Sequence, residues 1–274
     1  MGSPTIDHVA FAWDDLDDVR TAAEDVGLPT DYGGEHGHRP AHNALTGFPD
    51  GSYLELLAPT PGTDPRDAGY WKQHFADRAG PCAWCVEADD VADAAKAAID
   101  AGFRVDGPRY AQRDRPDGAK VEWDVAFQDG TAGPLPFAIT DRTPRSYRIE
   151  PTDGTDVLTG VSEVVLLVDD VESAASTFGR RYRFPTPVAV ETPFEGAAAT
   201  VPGQPVTFVA PDGGDLADRL DAVGAGPCAY LLGTPDFDRA ATALSLTDPE
   251  TWGDGRVAWL DAGPFRGTLG VYCD

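Results

Sequence analysis

Internal repetition constrains this chain more than any other feature. The segment H-V-A-F-A-W-D-D-L at 8–16 returns as E-V-V-L-L-V-D-D-V at 163–171, and A-G-P-C-A-W at 79–84 returns as A-G-P-C-A-Y at 225–230. Leu57-Ala58-Pro59 is echoed by Val209-Ala210-Pro211, and Val121-Glu122-Trp123 by Val257-Ala258-Trp259. The copies keep similar spacings, so the chain reads as two related halves, and each half must be able to repeat whatever fold it takes.

Periodicity supplies the unit. Residues 6–13 read as a strand, and 14–26 carry apolar residues at helical spacing (Leu16, Val19, Ala23, Val26) before a stop at Gly27. Short strands follow at 31–34, 42–48 and 52–58, the last two joined by the turn residues Pro49-Asp50-Gly51. A helix over 67–78 then leads into a second such series: a strand at 82–87, a helix at 90–101, and strands at 104–111, 120–128 and 135–140. The unit is β-α-β-β-β, used twice per half. The predicted fold class is α+β, with four modules in two halves, 1–141 and 160–274, joined by a linker at 142–159 rich in Thr, Arg, Asp and Pro.

Composition narrows the partners. The formal charge is −25, carried by 35 Asp and 11 Glu against 18 Arg and 3 Lys. Such a surface repels phosphate backbones and anionic lipid, so nucleic acid and membrane are excluded as partners. Near-loss of lysine beside an excess of aspartate resembles proteins of salt-accumulating haloarchaea, whose charge is screened within about 3 Å in molar salt. No apolar run reaches 18 residues and the N-terminus shows no secretory signal, so a cytoplasmic protein is expected, as a monomer or homodimer. Four dispersed cysteines make no disulfide framework. Cys82 and Cys85 lie three apart in a strand, where they are expected on opposite faces as core residues.

Chemistry-bearing residues gather in the first half. Three of the five histidines, His36, His38 and His42, precede a strand in which Glu55 sits among apolar neighbours, and a fourth, His8, lies in the first strand. Alternation puts Tyr53 and Glu55 on one face, and His8 with the small residues Ala10 and Ala12 on one face of its own strand. His42 and Asn43 are adjacent in a strand, so without a bulge only one can face inward. Arg109, Arg113, Arg115 and Lys120 form the one basic cluster, which either holds an anionic ligand or offsets nearby aspartates.

Asp7-His8 opening the first strand, Gly33-Gly34, His36, Asn43 and Tyr53-Leu54-Glu55-Leu56 resemble the glyoxalase-like domain group of the vicinal oxygen chelate superfamily, which also holds bleomycin-resistance proteins and extradiol dioxygenases. The group's usual Gly-Thr is replaced here by Pro40-Ala41. The resemblance implies sheets curled into a cup, with His8 and Glu55 at metal-ligand positions and Zn, Fe, Mn or Ni as the divalent ion, or no cofactor at all. Under it, Glu55 and His42 are the catalytic candidates, and His36, His38, Asn43, Tyr53 and Arg109 the substrate-binding ones. Pro81 and about Phe137 take the ligand positions of the second module, and Glu163, Thr207 and Pro227 those of the second half, where no histidine occurs at all. The implied function is a lyase or isomerase moving a proton next to a carbonyl of a small molecule; the alternative is a metal-free small-molecule binding protein.

Overall fold

The structure, a computed structural model, describes residues 4–37, 40–77, 80–128 and 133–273. The first half contains β1 (Ile6–Ala12), α1 (Leu16–Asp25), β2 (Asp31–His36), β3 (Ala41–Gly47), β4 (Tyr53–Pro59), α2 (Lys72–Asp77), β5 (Gly80–Glu87), α3 (Val91–Asp100), β6 (Val105–Asp114), β7 (Lys120–Gln128) and β8 (Phe137–Asp141). Its strands close into a barrel in the order β1-β4-β3-β2-β6-β7-β8-β5. A short helix, α4 (Arg145–Arg148), precedes the second half. That half holds β9 (Gly160–Leu167), α5 (Val171–Tyr182), β10 (Val188–Ala189), β11 (Ala197–Thr200), β12 (Val206–Ala210), α6 (Gly214–Val223), β13 (Gly226–Gly233), α7 (Phe237–Ala243), β14 (Glu250–Trp252), β15 (Gly255–Trp259) and β16 (Leu269–Cys273). Its eight strands stay open as a half-barrel, ordered β10-β11-β12-β9-β13-β16-β15-β14. These are duplicated β-α-β-β-β modules. No helix among the described residues is long and apolar enough to cross a membrane.

Four helices begin at an aspartate whose carboxylate accepts from backbone N–H groups of the first turn: Asp15, Asp90, Asp170 and Asp236. These caps align the modules. His8 stands seven residues before Asp15, and the same offset gives Ala83 before Asp90, Glu163 before Asp170 and Ala229 before Asp236. Ala83 and Ala229 therefore correct the expected Pro81 and Pro227. Strand pairing confirms the frame: Ala10 lies beside Glu55, Cys85 beside Phe137, Val165 beside Thr207 and Leu231 beside Gly270.

The outer faces of both sheets and the helices share one core. Val9, Phe11, Leu54 and Leu56 of the barrel pack in the same cluster as Leu16 and Val19 of α1, Phe178 of α5, and Val164, Phe208 and Tyr230 of the second half. Each fully buried side chain of this size contributes about 1.5–3 kcal/mol. Tyr230 bridges the halves: its hydroxyl accepts from Cys82 N (3.2 Å) and lies 2.8 Å from the carbonyls of Ala10 and Ala83. At Gly27 (φ +82°), which ends α1, a Cβ would collide with the carbonyl of Ala243, so the helix ends meet only because glycine is there.

The two concave faces differ. That of the second half is filled by Trp252, Trp259, Val257, Leu231 and Cys228, with Phe194, Leu216 and Leu220 packed against them. The barrel keeps an interior space. Cys82 and Cys85 both join its inner cluster, against the expectation from alternation, because the pairing of β1 with β5 skips Cys82 between Pro81 and Ala83. This bulge turns the strand by one residue. Both thiols are free, and burial pushes both up, so they stay protonated.

Candidate functional site

The barrel holds a partly open cavity of about 140 Å³. One wall is polar: His8 from β1, His36 from β2, Asn43 from β3, and Tyr53 and Glu55 from β4. The facing wall is apolar, with Trp71, Trp123, Val125, Phe127, Phe137 and Ile139. Arg109, Gln112 and Arg113 of β6 complete it.

Glu55 is the centre. It is 5% exposed, its Oε1 accepts from Asn43 Nδ2 at 2.6 Å, and His36 Nε2 is 3.4 Å from the same oxygen. His8 Nε2 lies 3.7 Å from Oε2. Burial alone would raise the carboxyl's pKa, but His36, His8 and Asn43 together outweigh it and bring it down to about 2. Glu55 is therefore ionised throughout the physiological range.

His8 is held on three sides. Its Nδ1 is 2.6 Å from Asp7 Oδ1, its ring stacks on Tyr53 (centroids 4.5 Å, 17°), and it meets Phe137 edge-on at 5.3 Å. Neighbours in a strand normally point apart. Here the pairing steps from Ile6↔Val86 to His8↔Cys85, leaving Asp7 in a bulge from which its carboxylate reaches the next residue's imidazole. Asp7 is buried, and burial works to raise its pKa. Arg148 and His8 nonetheless keep it well below the usual carboxylate range. Arg148 Nη1 and Nη2 donate to the two Asp7 oxygens at 2.7 and 2.8 Å, and Arg145 Nη1 lies 2.5 Å from Oδ2. Arg148 also donates to the Tyr53 hydroxyl at 2.8 Å. That phenol stays neutral, its pKa raised by burial.

With Asp7 ionised, the proton on Nδ1 belongs to His8, so a neutral His8 presents the Nε2 lone pair to a carboxylate. Two acceptors facing each other are stable only with positive charge between them, either a proton or a cation. Among the described residues, Asp7, His8 and Cys85 bring potential ligand atoms within 4.8 Å of one another. That trio suits a metal poorly, since two guanidiniums hold Asp7 and burial keeps the Cys85 thiol neutral. The other donor atoms that could hold an ion are His8 Nε2, 3.7 Å from Glu55 Oε2, and His36 Nε2, 3.4 Å from Glu55 Oε1, which flank one carboxylate without forming a compact cluster of three. A carboxylate behind the first imidazole is the usual support for a ligating histidine. The second module adds no donor, since Ala83 and Phe137 stand at the equivalent places.

The other sequence candidates divide. Asn43 points inward, so its neighbour His42 cannot; His42 lies against Tyr32 (6.1 Å, 75°) and lines a separate hollow with Asp14, Leu16 and Pro59. This corrects His42 as a catalytic candidate: the strand runs regularly there, and alternation admits one of the two. His38 lies outside the described residues. Arg109 borders the cavity but is ion-paired with Asp106 at 2.5 Å and half exposed. Gly33 makes room for the site, because a Cβ there would strike the Asn43 amide oxygen. Residue reading missed the roles of Asp7, Arg145 and Arg148. The last two lie in the segment read as a linker, where nothing local marks them. Arg113 reads in the sequence as one of a basic cluster that either holds an anionic ligand or offsets aspartates, and the structure buries it to 4% exposure.

Comparison with known proteins agrees with the geometry. No curated protein matches the chain. A hypothetical protein from Staphylococcus aureus has a similar structure (TM-score 0.63, 14% identity), covering 98% of each chain. So does a mutant of 4-hydroxymandelate synthase from Streptomyces coelicolor (TM-score 0.59, 14% identity), covering 99% of this chain and 92% of that one. At these identities the likeness shows the fold. The sequence profile described as "Glyoxalase-like domain" matches residues 6–181, well over half of the chain and the whole of the barrel that holds Glu55. The chain belongs to the glyoxalase-like domain family.

Proposed function

We propose that this chain is a small-molecule enzyme of lyase or isomerase type, moving a proton on the carbon next to a carbonyl. The observation that carries this reading is Glu55: an ionised carboxylate buried in a cavity, with hydrogen-bond donors beside it. A carboxyl with a pKa of about 2 is a weak base as it stands. Its acidity depends on contacts that oppose burial. A substrate carbonyl oxygen that takes the Asn43 and His36 donors leaves Glu55 with less of that support, and its basicity rises. Glu55 then accepts the α-proton, the C–H electron pair forms the C=C bond of an enolate, and the carbonyl pair moves to oxygen. Asn43 Nδ2 and the His36 ring Nε2 face the negative charge that develops there. Return of the proton from Glu55 completes the transfer.

His8 and Glu55 are the residues that would hold a divalent ion, and such an ion would supply Lewis-acid polarisation of the carbonyl. A metal-free binding protein is the second reading, favoured by Ala83 and Phe137 at the second module's ligand positions and by the aromatic wall.

Deuterium incorporation into a panel of small ketones and 2-oxo acids in D2O, followed by NMR, tests the first reading. Exchange should fall at least about 100-fold in Glu55→Gln, the scale of general acid–base catalysis. Equal exchange in both proteins, in chelator-treated and Zn- or Mn-supplemented samples alike, would overturn it.

A further inference from the structure

Arg113 of β6 is a buried cation with no carboxylate in contact with it; the buried Glu55 acts on it only through space. Arg113 pairs with His36 of the adjacent β2 and Val121 of the adjacent β7, and its side chain lies in the wall between the barrel cavity and a neighbouring hollow lined by Gly33 and Ile149. Its Nη1 donates to the carbonyl of Gly33, and its Nη2 to the carbonyl of Arg148 at 2.9 Å. Both partners are neutral backbone oxygens. Among the described residues no carboxylate lies within ion-pair distance of it. The neighbouring guanidiniums differ: Arg148 is clamped by Asp7 and Asp141, and Arg145 by Asp7. A guanidinium carries five N–H donors, so two bonds leave it well short of saturation. It stays charged, because arginine does not give up its proton in proteins, and leaving a charge buried without a partner is costly. A ligand that supplied the missing anion would recover that cost.

The rest of the cavity limits what the anion is attached to. The space, about 140 Å³, is close to a cavity that accepts a benzene ring. Trp71, Trp123, Phe127 and Phe137 make the facing wall apolar and aromatic. An anionic group is thus drawn to Arg113, and the body attached to it must be small and apolar to lie against the aromatic wall.

We infer that the ligand of this cavity is a small monocarboxylate whose carboxylate is bound by Arg113 and whose apolar body lies against the aromatic wall. If Glu55 is the proton acceptor, as the preceding section proposes, the bound carboxylate holds the ligand's reacting carbon in the cavity that Glu55 lines; this last step alone rests on that reading. The basic residues of β6 then have separate tasks. Arg109, paired with Asp106 at the rim, is already compensated, whereas Arg113 is kept for the ligand.

The test uses the full-length protein with benzoate and benzamide, nearly identical in shape and different in charge, measured by calorimetry or ligand-observed NMR. Benzoate should bind at least about tenfold more tightly than benzamide, the scale of one hydrogen-bonded charge. Arg113→Gln should remove that preference while leaving benzamide binding in place; Arg113→Lys should keep part of it. Glu55→Gln should strengthen benzoate binding, since it removes a like charge from the cavity. Equal affinities in the wild-type protein, or no binding of benzoate, would overturn the inference before any variant is needed. So would a preference that survives in Arg113→Gln, or a loss of both ligands by the same factor in Arg113→Lys, which a merely structural role would produce. None of these measurements involves turnover, so they succeed or fail independently of the exchange experiment.

Discussion

The Arg148→Met substitution probes the device that orients the site. Arg148 makes five hydrogen bonds of 2.6–2.9 Å, two to Asp7, two to Asp141 and one to the Tyr53 hydroxyl. Its side chain is 3% exposed and that of Asp7 0%. Removing one member of a buried ion pair costs about 3–5 kcal/mol, because the remaining charge is left without compensation. Arg145 still reaches Asp7, so the lower end, about 3 kcal/mol, is expected. At roughly 2–4 °C per kcal/mol for a chain of this size, the melting temperature should fall by about 6–12 °C. Denaturation monitored by circular dichroism at neutral pH measures this directly. The pH dependence has a definite sign. Asp7 has a folded-state pKa well below its ordinary 3.8, so its contribution is complete above 3.8 and disappears as pH falls through the lower folded value. The difference between wild type and variant should therefore be full at pH 7 and shrink below about pH 3.8. Adding Asp7→Asn to the variant should restore part of the loss, since it removes the orphaned charge. A loss under about 1 kcal/mol, or strictly additive effects in the double variant, would refute the claim that this pair is a buried, coupled unit.

Three further outcomes are expected. The Glu55 carboxyl, followed by 13C NMR, should titrate near pH 2, and His36→Gln should move the midpoint upward, since His36 is the strongest of the groups that lower it; a midpoint near 4.5 in the wild type would contradict the hydrogen-bond pattern. Thr207→Val should be neutral or stabilising by about 1 kcal/mol, because the Thr207 hydroxyl is fully buried with no hydrogen-bond partner; a clear loss in chemical denaturation would show an unseen one. If the aspartate-rich surface is an adaptation to salt, the melting temperature should climb steeply from about 0.1 to 2 M KCl, and a flat response would count against it, since screening weakens ordinary surface pairs.

Legibility in the sequence followed the range of the interactions. Alternation along β1 and β4 was enough to place His8 with Ala10 and Ala12, and Glu55 with Tyr53, because a regular strand has a strict period of two. It also reduced His42 and Asn43 to a choice of one, but could not make the choice, since which face is inner depends on how β3 pairs with β4. Where the ladder was irregular the same rule misled. The bulge at Asp7 turns a strand neighbour into the partner of His8, and the bulge at Cys82 brings both cysteines inward.

The sequence by itself determined the repeat, the four modules and the absence of a histidine-based centre in the second half, all of which are properties of local pattern or inventory. Only the tertiary structure decided that one sheet closes around a cavity while the other is filled by Trp252 and Trp259. It alone brought Arg148 to Asp7 across 141 positions, and left Arg113 facing the cavity against two carbonyls. Such contacts join residues far apart in the chain, and their strength comes from burial, which no local pattern carries. Burial exists only once the barrel has closed.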